Sequence, residues 1–87
     1  MSTTTQNVIG QMLEPVFRTL PSEVARRIVD LEANEPLQQR VELLARKANE
    51  GNLTEQEELD YAALIEAGDL LATLQALARR TLQQTSA

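Results

Sequence analysis

The side chains that could do chemistry in this sequence are its carboxylates, because the 87 residues contain no cysteine and no histidine. The serines are Ser2, Ser22 and Ser86. None of them has a histidine to activate it as a nucleophile. The neighbouring Glu57, Glu58 and Asp60 could hold Mg²⁺ only with ligands from elsewhere. A carboxylate pair could do acid–base chemistry, but so small a chain leaves little room for a substrate cleft. We therefore predict no catalytic residue, no metal site, no cofactor and no enzymatic activity.

A second candidate is calcium, because the run from Gly51 to Glu57, GNLTEQE, matches the later half of an EF-hand loop. The earlier half does not match, since Arg46 and Ala48 stand where two oxygen ligands are needed. The alternative is a helix that ends at Gly51, followed by a new helix with a capping box formed by Thr54 and Glu57. This alternative accounts for every residue of the run, so we prefer it.

One long helix dominates the elements that must position these carboxylates. It is predicted from Thr54 to Leu82, with an acidic first turn and no internal proline. Its apolar residues fall on two adjoining stripes, which is more than one packed face requires. We expect part of this surface to form the core and part to contact a second copy of the chain. The predicted core and dimer interface comprises Tyr61, Leu64, Gly68, Leu70, Leu71, Leu74, Leu77 and Ala78.

The residues before the long helix predict two further main helices and a short first one. Apolar spacing favours a short helix from Thr5 to Leu13, with Pro15 making its end difficult to place. That segment could instead be an arm that swaps onto a neighbouring subunit. A second helix starts at Pro21 or Ser22 and ends near Ala33. A third helix is capped by Asn34 or Glu35, has Pro36 in its first turn and stops at Gly51.

The fold prediction is therefore an all-α bundle of three main helices plus a short N-terminal helix. We expect residues 1–5 to be disordered, residues 6–82 to form one helical domain and residues 83–87 to fray. A domain of this size is marginally stable alone, which also favours a homodimer. No apolar run is long enough to span a membrane. The first residues lack the pattern of a secretion signal, which predicts a cytoplasmic protein.

The charge distribution points to a protein partner. The formal net charge is −5, and no basic residue occurs between Lys47 and Arg79. We expect an acidic surface that docks onto a basic protein, although a merely solvated helix face would explain the same pattern. The predicted partner-binding residues are Glu55, Glu58, Asp60, Glu66 and Asp69.

Two alternative functions remain. The first is a DNA-binding regulator that uses Arg26, Arg27, Arg40 and Arg46 on the short helices. The acidic balance of the chain counts against it, because phosphate contacts need a positive face. The second is a structural subunit of a small assembly with no regulated partner.

Several short runs in this chain resemble a group of small bacterial helical proteins. These runs are Asn49-Glu50-Gly51, Leu53-Thr54, Glu57, Tyr61, Leu74-Gln75 and Ala78-Arg79, with Glu23-Val24-Ala25 and Pro36 before them. The likeness extends from about Leu13 to Leu82, and departs at Asp60, where a glutamate would precede the tyrosine. The group is uncharacterised, with no assigned activity or catalytic residue, and its genes lie beside those of HNH-type endonucleases. The resemblance thus implies a companion or antitoxin-like inhibitor of a nuclease.

Overall fold

Four α-helices and no strand make up the chain in the computed structural model, which describes residues 2–85. The all-α prediction is confirmed. The helices are α1 (Thr3–Phe17), α2 (Ser22–Val29), α3 (Glu35–Asn49) and α4 (Glu55–Thr85). The predictions made for Met1, Ser86 and Ala87 lie outside the described residues. None of these helices is both long and apolar enough to cross a lipid bilayer.

The first helix is longer at both ends than the sequence predicts. It begins at Thr3, because the Ser2 hydroxyl accepts a 3.1 Å hydrogen bond from the backbone N–H of Thr5. Residues 3–5, predicted to be disordered, therefore form its first turn. Its other end passes Leu13 and includes Pro15. The final turn is held because Phe17 is buried in the core and the backbone N–H of Arg18 donates to the carbonyl of Glu14.

The second and third helices begin where proline and asparagine predict, but α2 ends early. Pro21 precedes its first residue, and its last residue is Val29 rather than Ala33. The start of α3 is capped by Asn34, whose side chain accepts a 3.0 Å hydrogen bond from the N–H of Leu37. Its end is followed by Gly51 at φ 71°, the left-handed conformation that favours glycine after a helix.

The fourth helix is one unbroken element of 31 residues. The predicted capping box is confirmed. The N–H of Glu57 donates to the Thr54 hydroxyl over 3.1 Å, and the N–H of Thr54 donates to the Glu57 carboxylate over 3.0 Å. The helix continues to Thr85, so residues 83–85, predicted to fray, are helical.

The chain forms two compact units where the sequence predicts one domain. We call Met1–Leu31 together with Asp69–Ala87 the terminal unit, and Glu32–Gly68 the hairpin unit. The core of the terminal unit is small and aliphatic, with one aromatic ring. Its buried apolar residues are Phe17, Ala25, Leu77 and Ala78.

Two polar side chains of α4 complete the terminal unit. The amide nitrogen of Gln75 lies 3.3, 3.1 and 2.9 Å from the carbonyl oxygens of Ile28, Val29 and Leu31. These carbonyls lie at the end of α2 and in the turn that follows it, and that of Ile28 also accepts a hydrogen bond from the N–H of Leu31 over 3.2 Å. The buried hydroxyl of Thr81 donates a 2.7 Å hydrogen bond to the carbonyl of Phe17. Side chains of α4 thus donate hydrogen bonds to backbone carbonyls at the ends of α1 and α2.

The hairpin unit contains α3, the turn at Gly51 and the first half of α4. Leu44 is the one apolar side chain within it that is buried. Its helices are also joined by an ion pair, in which the Lys47 Nζ lies 2.6 Å from the Glu57 carboxylate. A second pair, Arg40 with Asp60, is longer at 3.5 Å and more exposed.

Candidate interaction surface

The C-terminal part of the predicted interface belongs to the core of the chain itself. Leu77 and Ala78 are buried beside Phe17 and Ala25, and Leu74 packs against the same cluster. Leu70 and Leu71 are half-buried. Helices α1 and α2 therefore cover much of the apolar surface that the sequence assigned partly to a second chain.

The N-terminal part of the predicted interface lies in the hairpin unit. Tyr61 and Leu64 are half-buried there, and Leu64 lines a shallow depression of about 330 Å³ together with Leu37 and Ala63. Gly68 is exposed, and a Cβ built on it would meet no atom within 4 Å. Gly68 therefore marks no close helix crossing among the described residues.

The five predicted partner-binding carboxylates differ in exposure. Glu55, Glu58 and Glu66 are exposed. Asp60 is half-buried and lies on the packed side of α4, where it accepts hydrogen bonds from Arg40 over 3.5 Å and Gln56 over 3.0 Å. Asp60 therefore already takes part in contacts within the hairpin unit. Asp69 is half-buried and belongs to the terminal unit.

The exposed carboxylates share the outer side of α4 with two large apolar side chains that the sequence analysis did not single out. Leu59 is 67% exposed and Ile65 is 48% exposed. Neither residue belongs to the core and dimer interface that the sequence predicts. The whole set follows helical spacing on one side. We call it the 55–66 face, and it comprises Glu55, Glu58, Leu59, Ala62, Ile65 and Glu66.

The arginines of the DNA-binding alternative are divided between the units. Arg26 and Arg27 lie on α2 in the terminal unit, whereas Arg40 and Arg46 lie on α3 in the hairpin unit. Arg27 pairs with Glu23 on its own helix at 3.1 Å. Arg40 pairs with Asp60 as described above. Two of the four guanidinium groups are therefore already paired with carboxylates inside their own units.

Glu57 is the most strongly perturbed carboxylate of the hairpin unit. The hydrogen bond from Lys47, followed by that from the backbone N–H of Thr54, lowers its pKa from 4.5 to about 2. Its oxygens are thus committed to a lysine and a helix start, which is the capping-box interpretation rather than the calcium one. Across residues 2–85, no three acidic side chains converge on a position suited to a metal ion.

Another depression, of about 400 Å³, lies in the terminal unit between α1 and α4. Its lining is mostly neutral and polar, and it comprises Gln6, Asn7, Gly10, Gln11, Thr73, Ala76, Leu77 and Arg80. This lining includes no carboxylate, and Thr73 already donates to the carbonyl of Asp69 over 3.2 Å. The lining therefore lacks the acid–base pair that a hydrolytic site requires.

Comparison with known proteins adds no further constraint, since no protein family, curated protein or solved structure matches this chain. The resemblance to proteins encoded beside HNH-type endonucleases therefore stays a prediction.

Proposed function

We propose that this chain is a non-enzymatic interaction module whose 55–66 face binds a basic partner protein. The observation that carries the proposal is the exposure of Leu59 and Ile65, 67% and 48%, among carboxylates on the outer side of one helix. No lysine or arginine occurs in the sequence between Lys47 and Arg79.

The composition of this face suits recognition better than stability. Leu59 and Ile65 leave much of their apolar surface in water, and each can anchor a partner by entering a pocket. The surrounding carboxylates of Glu55, Glu58 and Glu66 would accelerate encounter with a positively charged protein and disfavour acidic ones. An apolar centre with a charged border is also the usual layout of a protein interface.

A protein that binds nucleic acid presents a positively charged surface, because it must contact phosphates. The resemblance described above implies a nuclease neighbour, so we propose a nuclease-type partner and an antitoxin-like or companion role. An acidic helix seated on the DNA-binding surface of a nuclease would compete with its substrate. This role also places the chain in the cytoplasm with its partner.

The test is binding between the purified chain and the purified product of the adjacent gene, measured calorimetrically at low and moderate salt. We expect affinity to fall with salt, because the carboxylates steer association. The double variant Leu59→Ala/Ile65→Ala should weaken binding by about tenfold or more, as expected for anchor residues. Glu58→Lys should also weaken binding, and the loss of affinity should be larger at low salt than at moderate salt.

The matched control is Glu42→Lys, which makes the same charge change at an exposed residue of α3 outside the 55–66 face. Its affinity should stay within about twofold of the unmodified chain. Unchanged binding by the Leu59→Ala/Ile65→Ala variant would refute the proposed surface. A complete lack of binding to the adjacent product at low salt would refute the nuclease-type partner. A gel shift with DNA at low salt by the chain alone would favour the regulator alternative.

A further inference from the structure

The first helix carries an apolar stripe that neither the core nor the proposed partner surface uses. Val8, Met12 and Val16 are 48%, 73% and 58% exposed. They are four residues apart, so they line one side of α1. The adjoining stripe on the same helix, which includes Leu13 and Phe17, packs into the terminal unit. Helix α1 thus carries apolar side chains both on the side that packs into the terminal unit and on the side that is exposed to solvent.

None of the three residues of the exposed stripe is charged. Glu14 is the one charged residue between Thr3 and Phe17, and its carboxylate is paired with Arg18. Glu14 also borders a small depression against Leu77 and Arg80 of α4, on the packed side. A helix that binds a membrane surface usually carries lysine or arginine on its polar side, and α1 has none.

We propose that the stripe binds the same stripe of a second copy, with the two α1 helices antiparallel. The residues are symmetric about Met12, since Val8 and Val16 are identical in type and equally distant from it. Under a twofold axis at Met12, each Val8 contacts the partner's Val16 and Met12 contacts the partner's Met12. Such a self-complementary patch is what a twofold interface requires.

Electrostatics favour this stripe over the 55–66 face as the site of self-association. Two copies of the 55–66 face would bring Glu55, Glu58 and Glu66 near their own equivalents, and like charges repel. The uncharged stripe of α1 meets its copy without that cost. The 55–66 face and the stripe of α1 are therefore assigned to different occupants, a basic protein for the first and a second copy for the second.

The contact is short, so the dimer should be weak. Three exposed side chains on each helix cover less than the roughly 800 Å² per partner of a standard interface. We expect monomer at low micromolar concentration and a growing dimer fraction toward millimolar concentration. Sedimentation equilibrium over this range should show a mass that rises from 9.7 kDa toward twice that value.

Met12→Glu is the decisive variant. It places two carboxylates against each other at the axis, so the dimer should be lost at every concentration tested. Because Met12 is 73% exposed, the thermal unfolding curve of the dilute monomer should not change, and circular dichroism checks this. Leu59→Glu, which adds the same charge on the 55–66 face, is the matched control and should leave the dimer intact.

The orientation can be tested because the chain has no cysteine. Under mild oxidation, Met12→Cys should give a disulfide-linked dimer, since identical residues meet at the axis. Val8→Cys alone should link poorly, but a mixture of Val8→Cys and Val16→Cys chains should link efficiently. A parallel pair would instead link each single variant to itself.

Several results would overturn the proposal: a monomer at millimolar concentration, a Met12→Glu dimer as strong as the original, or efficient linking of Val8→Cys to itself. Loss of the dimer in Leu59→Glu alone would move the interface to α4. The experiment uses the purified chain without a partner, so its failure leaves the proposed binding of a basic protein untouched.

Discussion

The hydroxyl of Thr81, near the end of α4, donates a 2.7 Å hydrogen bond to the carbonyl oxygen of Phe17, the last residue of α1. Thr81 is 2% exposed and is the polar residue buried in the terminal unit. Sixty-four positions separate the two residues in the chain, so this one bond joins the two sequence segments of the unit. The same carbonyl also accepts a hydrogen bond from the backbone N–H of Leu20 over 3.1 Å, so two donors meet at the end of α1.

Replacing Thr81 with valine should measure this bond. The shape is kept and the donor is lost, so the free energy of unfolding should fall by about 1 kcal/mol, the usual value for a buried hydrogen bond. Thr73→Val is the control, because the Thr73 hydroxyl bonds the carbonyl of Asp69 on its own helix. Urea titrations of both variants provide the comparison. Equal losses would show that the contact with Phe17 adds nothing beyond local helix bonding.

Gln75 provides a charge-sensitive test of the same kind of contact. Its amide donates toward the carbonyls that end α2. Gln75→Leu should lower the free energy of unfolding by about 1–2 kcal/mol, because it removes the side-chain donor that these carbonyls share. Gln75→Glu should be worse at neutral pH, since a carboxylate faces carbonyl oxygens at the negative end of a helix. The two variants should approach each other at low pH, where the introduced glutamate is protonated. Thermal unfolding curves of both variants at neutral and at low pH would test this expectation.

Replacing Gly68 and replacing Gly51 with alanine should have opposite effects on the free energy of unfolding. Gly68→Ala should stabilise the chain by about 1 kcal/mol, since α4 is helical there and the new methyl group meets no atom within 4 Å. Gly51→Ala should destabilise it by about 1 kcal/mol, because Gly51 has φ 71°. Chemical denaturation of the two variants gives both values. A stabilising Gly51→Ala variant would contradict the left-handed turn between α3 and α4.

The lowered pKa of Glu57 predicts that the stability of the fold depends on pH. Its folded-state pKa is lowered from 4.5 to about 2 by Lys47 and Thr54. A depressed carboxylate pKa stabilises the fold above the unfolded-state value, and this contribution is lost as pH falls toward the folded-state value. Glu57→Gln should therefore be less stable than the unmodified chain at neutral pH. The difference should shrink as the pH is lowered from about 4.5 to about 2, which melting curves across that range would show. A constant difference would mean that the charge of Glu57 is not involved.

Local patterns in the sequence identified the elements of the fold, but not which surfaces stay exposed. The capping box at Thr54 and the glycine stop at Gly51 are local, so their residues were correctly assigned from sequence. The path of α1 through Pro15 depends on Phe17 and Thr81, which are distant in the chain, and was therefore missed. The carbonyls at the end of α2 likewise contact Gln75, which lies 44 to 47 positions away in the chain.

The candidate surface was predicted in part for the same reason. The charge pattern singled out Glu55, Glu58 and Glu66, which are exposed on one side of α4. It could not show that Asp60 turns toward Arg40, since that requires the packing of α3 against α4. It also gave no measure of how much of Leu59 remains in water, because burial depends on neighbours that periodicity does not specify.

The hairpin unit buries a single apolar side chain, that of Leu44, and this affects how fast its backbone amides exchange. A pair of helices with so little apolar burial opens at a low free-energy cost. Its backbone amides should therefore exchange with deuterium by local opening, well before those near Phe17 and Ala78. A partner seated on this segment would slow that exchange, so binding could be detected as protection even where no atom of α3 is touched.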